Sequence, residues 1–328
     1  MRDQGPRTGV TLDEAEALFG RMLDGELADD AIAATLVDLA ERGETAAEVA
    51  GAVRAMRARM KPVAAPPGAI DVCGTGGDGQ HSLNVSTAVA LVVAACDVPV
   101  AKHGNRAASS KAGGADTLEA LGLNLARASE MAEATLADLG IAFLFAQAHH
   151  PALARIAPIR KALGRRTIFN LLGPLANPAG VTRQLVGVSH PGLIALYRDA
   201  MNLLGSEAAL IVSGEEGLDE LSIAGTSYVA AIGLPGFLTE IRPEDAGLPS
   251  HPLEELRGGD AAFNADALRR LLMGERSAYR DAVLLNSAAA LLVAGQVDDW
   301  LEGVEEAAEA LDKGLAKALL DCWIETVK

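Results

Sequence analysis

The first sixty residues carry a helical pattern of hydrophobic positions and no other. The segment 11–14, TLDE, has the spacing of a capping box, and Leu18, Phe19, Met22 and Leu23 follow at helical spacing. A second box, TAAE at 45–48, opens a helix that carries Val49, Val53 and Met56. The stretch KPVAAPPG, 61–68, contains three prolines and cannot continue that helix, so it reads as a linker. Beyond it the pattern changes to short apolar runs alternating with helical ones. AIDVC (69–73), VPVAK (98–102), IAFLFA (141–146), LVGVS (185–189), ALIVSG (209–214) and SYVAAI (227–232) predict strands, and NVSTAVALVVAAC (84–96) predicts a buried helix. Strands alternating with helices imply crossover units and a mostly parallel central sheet flanked by helices. The tail, 298–328, is predicted as one acidic amphipathic helix with Leu301, Val304, Ala308, Leu311 and Leu315 on one stripe and Glu309 spaced to meet Lys313. The expected fold is α/β: a small N-terminal helical domain, 1–63, followed by a larger α/β domain, 69–328.

Composition narrows the function. The chain has 328 residues, half of them hydrophobic, with no apolar run long enough for a membrane span, and MRDQGPRTGV lacks the apolar stretch of a secretory signal. Lys plus Arg total 28 against 44 Asp plus Glu, a net charge of −16, with 3% aromatic residues. Such a surface repels polyanions and offers few platforms for stacking bases, which argues against nucleic-acid binding. A small anionic substrate remains compatible, because a pocket can oppose the net charge. Three cysteines without C-x-x-C spacing argue against a disulfide framework or zinc site and fit a reducing cytoplasm. Cys73 reads as a small strand residue packed inward.

The candidate chemistry begins at DVCGTGGDGQHSLNVST, 71–87. Gly74, Gly76 and Gly79 satisfy the G-x-G-x-x-G pattern, and GTGGDG satisfies half of a P-loop. A P-loop needs Lys and then Ser or Thr after its last glycine, and here Gln80 and His81 follow. A dinucleotide loop needs its helix to open at the third glycine and an acidic residue about 20 positions on. Instead QHSLN intervenes, and the next strand ends AKHGN without a carboxylate. A lysine there suits a phosphorylated ribose, so the dinucleotide reading is weakened rather than removed. What remains is a long glycine turn leading into a helix whose first turn holds Asn84, Ser86 and Thr87. Its backbone N–H groups and helix dipole form an anion site, favoured here over an unliganded cap. KHGNRAASSKAGGAD, 102–116, sets Lys102, Arg106 and Lys111 against a single Asp116. Neighbouring strand tips of an open parallel sheet face one crevice, so the two loops would converge on a ligand with more than one phosphate.

These segments, with NVST, APIRKALGRRTIFNLLGPLANPA (157–179), GLDELS (217–222), GETAAEVAGAVRAMR (43–57) and YRDAVLLNSAAAL (279–291), resemble the anthranilate phosphoribosyltransferase family in order and spacing over nearly the whole chain. The resemblance implies transfer of the phosphoribosyl group of phosphoribosyl pyrophosphate (PRPP) to the amine of anthranilate, releasing pyrophosphate, in tryptophan biosynthesis. It also implies a cytoplasmic homodimer in the nucleoside phosphorylase and phosphoribosyltransferase fold class, with helices from about 155–180 completing the N-terminal domain. Carried over by position, the PRPP contacts are Gly74, Gly77, Asp78 and Ser82; Asn84, Val85, Ser86 and Thr87; and Lys102, His103, Gly104, Asn105, Arg106, Ala107, Ala108, Ser109 and Ser110, with Gly114. Ser82 stands where Thr is usual, keeping the hydroxyl, and Gly114 stands where Ser is frequent, leaving a backbone contact alone. The anthranilate positions are Gly74, Asn105 and Arg160, whose guanidinium suits an aromatic carboxylate. His103 and His150 are expected near that pocket.

The implied cofactor is Mg²⁺. SGEEGLDELS holds Glu215, Glu216, Asp219 and Glu220, of which the family pattern selects Asp219 and Glu220, with Ser86 as a further ligand. Glu215 and Glu216 read as a solvated turn. The six histidines show no zinc spacing. No residue is expected as an acid or base, since the acceptor amine is itself the nucleophile; Lys102 and Asn105 would support the transition state. A pyrimidine nucleoside phosphorylase would share the fold and glycine loop, but KHGNR and APIRKALG do not resemble that branch. A non-catalytic nucleic-acid-binding relative is disfavoured by the charge and the LDE triplet.

Overall fold

The structure, a computed structural model, describes residues 10–107 and 111–328. Ala108, Ser109 and Ser110 of the expected PRPP contacts lie outside the described residues.

Helices α1 (Leu12–Asp24), α2 (Asp29–Arg42) and α3 (Ala46–Arg57) form the N-terminal bundle. Both capping boxes close: Thr11 accepts from Glu14 N while the Glu14 carboxylate accepts from Thr11 N, and Thr45 and Glu48 repeat the pattern. α1 and α3 cross so tightly that a Cβ on Gly51 would lie 2.6 Å from Ala15 Cβ. The sheet then begins with β1 (Ile70–Gly74), followed by α4 (Val85–Ala94), β2 (Val100–Gly104), α5 (Gly114–Leu121), α6 (Leu125–Glu130), α7 (Ala132–Leu139) and β3 (Ile141–Phe145). The chain next runs through α8 (Ala146–His149), α9 (Leu153–Leu163) and α10 (Phe169–Leu172) before β4 (Arg183–Gly187), α11 (Ile194–Leu203) and β5 (Ala208–Gly214). It closes with β6 (Ser227–Ile232), β7 (Glu240–Ile241), α12 (Ala261–Leu272), α13 (Ala278–Ala294), α14 (Trp300–Asp312) and α15 (Leu315–Thr326).

The strand order is β3-β2-β1-β4-β5-β6-β7, parallel from β3 to β5, with β6 and β7 antiparallel at one edge. The mostly parallel sheet is as the sequence predicts, whereas β7, two residues long, carries no period to read. Alternate strand residues feed opposite layers. Leu210 and Val212 of β5 join one core with α4 and α13, while Ala209 and Ile211 join another with Tyr197, Met201 and the bundle residues Phe19 and Val53. Ile156, Ile159, Ile168 and Phe169 belong to that second core, which runs from the bundle onto the sheet without a break.

The tail corrects an expectation. It is two helices, not one, because Gly314 takes a left-handed φ of 71° between them. The predicted stripe holds only in part: Leu311 is buried and Val304 and Ala308 pack half-buried on the core, but Leu301 and Leu315 are exposed, and α14 also buries Gly303, Ala307 and Ala310. The Glu309–Lys313 ion pair does form. All three cysteines are free, and Cys73 is buried. No described helix is long and apolar enough to cross a membrane.

Candidate active site

β1 runs to β2 and β3 on one side and to β4 and β5 on the other, so the β1/β4 junction is the point where connections diverge. Ligands of open α/β sheets bind beyond the strand tips at such a point. The glycine loop leaves β1 there. Gly76 and Gly77 take left-handed φ values of 66° and 72°, and α4 opens only at Val85. Thr75 stitches the loop to β4: its N–H donates to the Gly187 carbonyl at 2.9 Å, and its hydroxyl accepts from Ser189 N at 3.1 Å.

The acidic segment after β5 folds down onto these same tips. A Cβ on Gly74 would fall 2.3 Å from Asp219 Oδ2, and one on Gly187 would fall 1.6 Å from the Asp219 carbonyl oxygen. Both glycines are therefore steric requirements for this close approach. Asp219 Oδ2 accepts from Gly76 N at 2.6 Å, and Glu220 Oε1 accepts from Ser86 N at 3.0 Å. Gln80 Nε2 donates to the Glu216 carbonyl at 2.7 Å, a third tie between the loops. Two N–H groups expected to meet phosphate thus meet the acidic pair. Glu216 is engaged as well, accepting from Ser222 Oγ at 2.6 Å, which corrects its reading as part of a merely solvated turn.

β1 and β4 stay in register from Ile70↔Arg183 to Gly74↔Gly187, but β1 and β2 register only at Ile70↔Val100. Side chains span the gap that opens toward the tips. Lys102, buried, donates to the Val72 carbonyl at 2.7 Å and to Ser86 Oγ at 3.1 Å. Asp71, fully buried, accepts from His103 N at 3.1 Å and from Asn177 Nδ2 at 2.8 Å. Asn177 also donates to the Ala101 carbonyl at 2.7 Å. The structure brings Lys102, Ser86, Glu220, Asp219 and the glycine loop together, as the sequence predicts for two converging loops.

Other predicted residues have different occupations. Arg106 pairs with Asp116 at 3.0 Å and Glu119 at 2.5 Å and sits over the Phe145 ring, so its charge is already balanced rather than added to the crevice. Asp116 also accepts from Ala107 N and Gly113 N, both at 2.9 Å, and so ties these two backbone groups together. Asn84 is committed to the scaffold: Oδ1 accepts from Thr117 Oγ1 at 2.5 Å and Asn264 Nδ2 at 2.9 Å, and Nδ2 donates to the Ala112 carbonyl. Val85 and Thr87 are buried, and a Cβ on Gly114 would lie 2.9 Å from Thr87 Oγ1. Glycine at 114 thus lets the first turns of α4 and α5 meet. Asp78 Oδ1 accepts from Gln80 N, Ser82 bridges to Arg257, and Asn105 is exposed with Oδ1 accepting from Arg106 N.

His103 Nδ1 lies 2.9 Å from the Gly173 carbonyl, which can only accept, so that nitrogen carries the ring proton. Its ring stands 5.2 Å from that of His150. Burial lowers the pKa of His103 to about 3 and of His150 to about 4, each helped by a neighbouring histidine, so both rings are neutral. Gly173 closes the segment that carries Asn170, whose Oδ1 accepts from Arg160 Nη2 at 3.3 Å. The His103 loop and Arg160 therefore meet one short segment, 167–175.

The acidic pair is electrostatically unbalanced. Burial first, then the charge of Asp78, lifts Asp219 to about 7; burial first, then Asp219, lifts Glu220 to about 8. Hard carboxylate oxygens that repel each other, beside a hydroxyl, fit a divalent cation. Among the described residues no group of three His, Cys, Asp or Glu could hold a metal alone. Two carboxylates beside the Ser86 hydroxyl are a donor set that fits Mg²⁺, which takes one or two carboxylates and completes its shell with water and substrate phosphate.

Sequence reading missed several supports. Thr75, Ser189, Asp71 and Asn177 gave no signal, since each acts by contact with a distant segment. Segment 256–259 also lies along 81–84: Leu83 N donates to the Leu256 carbonyl and Gly258 N to that of His81, both at 2.8 Å. The glycine pair 258–259 was the available hint, because a Cβ on Gly258 would lie 2.7 Å from the Ser82 carbonyl oxygen.

Comparison with known proteins identifies the family. The glycosyl transferase family's a/b domain matches residues 66–317, and its helical bundle domain matches residues 6–60. The anthranilate phosphoribosyltransferase of Novosphingobium aromaticivorans is 65% identical over 316 residues, 96% of each chain. The crystal structure of that enzyme from Thermus thermophilus superposes with a TM-score of 0.90 at 43% identity, covering 96% of this chain and 95% of the other. The Saccharomyces cerevisiae enzyme in complex with PRPP and Mg superposes at 0.87 with 28% identity, covering 97% and 93%. The chain belongs to the anthranilate phosphoribosyltransferase family of the glycosyl transferases.

Proposed function

We propose that this chain transfers the 5-phosphoribosyl group of PRPP to the amine of anthranilate, giving N-(5-phosphoribosyl)anthranilate and pyrophosphate. The observation that carries the reading is the placement of Asp219 over Gly74 and Gly187 with Glu220 on Ser86 N, which sets an acidic pair directly against a glycine phosphate loop. The amine lone pair forms the bond to the anomeric carbon as the bond to pyrophosphate breaks, and the amine proton then passes to solvent. An aromatic amine is unprotonated near neutral pH, so no side chain need act as base.

The roles follow from position. The glycine loop, Ser82, the first turn of α4 and the run 102–110 bind PRPP, the Arg106 guanidinium staying on Asp116 and Glu119, with Lys102 and Asn105 supporting the charge that builds on the leaving group. Gly74, Asn105 and Arg160 hold anthranilate, Arg160 by its carboxylate. Asp219, Glu220 and Ser86 would hold Mg²⁺. Bound there, the ion neutralises charge on the departing pyrophosphate. Aligning amine and ribose supplies much of the remaining acceleration. The enzyme is taken to work as a cytoplasmic homodimer in tryptophan biosynthesis, the context the family implies.

The test is loss of anthranilate fluorescence with purified protein, PRPP and Mg²⁺. Omitting PRPP or Mg²⁺ should abolish the loss. Full activity without added metal in the presence of EDTA would remove the metal role, and no activity in the complete mixture would remove the function.

A further inference from the structure

Arg160 is a half-buried cation whose partner is neutral. Its neighbours on the same stretch, Arg155 and Arg165, pair with Asp29 and Glu41, each at 3.2 Å. Arg160 has no carboxylate within ion-pair distance among the described residues; it donates to Asn170 Oδ1 and stands 5.7 Å over the Phe169 ring. Burial without a counter-anion pushes its pKa down. Asn170 is itself fixed: its Oδ1 also accepts from Thr167 N at 3.0 Å, and its N–H donates to the Thr167 carbonyl at 2.8 Å. Thr167 is buried, so this turn cannot swing freely.

We infer that Asn170 is a positioning residue that aims the Arg160 guanidinium while leaving its charge unspent for the carboxylate of the acceptor. A carboxylate at 170 would make the same hydrogen bonds yet supply the counter-charge itself; an amide orients without neutralising. The preference for a negatively charged acceptor over an uncharged one is then set partly by a residue that does not touch it. This rests on the reading of Arg160 as the acceptor's carboxylate site.

The test compares Asn170→Asp, Arg160→Ala and the double variant, using anthranilate and the uncharged anthranilamide as acceptors. Asn170→Asp keeps both accepted hydrogen bonds and should raise KM for anthranilate by about tenfold or more, because a new charge at hydrogen-bond distance competes directly with the substrate. KM for PRPP and kcat/KM for anthranilamide should stay within about twofold, a split that a loosened fold would not produce. In the Arg160→Ala background, Asn170→Asp should add nothing. If Arg160→Ala leaves the anthranilate KM unchanged, the Arg160 assignment falls and this inference with it. If Arg160→Ala raises that KM while Asn170→Asp does not, or if Asn170→Asp affects both acceptors equally, the inference alone is overturned.

Discussion

Asp219 and Glu220 hold their protons up to about pH 7 and about pH 8, because burial, and then the charge of Asp78 on Asp219 and of Asp219 on Glu220, oppose their charged forms. In an unfolded chain both would ionise near pH 4. Between those limits the folded state binds more protons than the unfolded one, so metal-free stability falls as pH rises. Asp219→Asn with Glu220→Gln removes that slope. The metal-free double variant should melt close to the parent near pH 4 and well above it at pH 8, while its turnover at limiting Mg²⁺ is strongly depressed. Equal melting differences at both pH values would contradict the electrostatic account, and unchanged turnover would contradict the metal assignment. At this scale the sequence was legible where chemistry is written in a run, as in GTGGDG or LDE, and dim where a residue's task depends on a distant partner. Arg106 looked like a phosphate cation because its ion partners Asp116 and Glu119 become neighbours only once α5 forms.

Among the elements, the packing of the acidic segment on the tips of β1 and β4 decides whether a site exists. A Cβ at Gly187 would meet the backbone of Asp219, which no side-chain rotation can relieve. Gly187→Ala must therefore lift the segment away and separate Asp219 from Gly76. The expected result is a fall in kcat/KM of about 100-fold, the scale of roughly 1 Å of misplacement at a reacting centre, with the circular-dichroism spectrum preserved. Near-parent activity would show that the contact is dispensable. Capping boxes made α1 and α3 readable and short apolar runs six of the strands, since those signals are local, whereas α2 starts at Ala28 without a side-chain cap. The break at Gly314 was not readable because continuous amphipathic spacing masked a single left-handed residue. The antiparallel edge strand β7 is too short to carry a pattern.

For the molecule as a whole, the bundle and the sheet share one core. Phe19, Met22, Ile32 and Val53 pack in the same cluster as Ile159, Phe169, Val186 and Ile211. Truncation to 69–328 would expose that face, so the isolated fragment should aggregate or melt far below the full chain, and a soluble, cooperatively folded fragment would contradict a shared core. The net charge of −16 argues against polyanionic partners at sequence level, yet could not locate the crevice where Lys102 opposes it.

The most direct test of the central claim is a crystal structure with PRPP and Mn²⁺ replacing Mg²⁺, read by anomalous scattering. The account predicts a manganese peak within coordination distance of both the diphosphate and the Asp219 or Glu220 carboxylate, with the diphosphate lying against Gly74–Gly79. A diphosphate seated elsewhere, or a peak out of reach of both carboxylates, would contradict it.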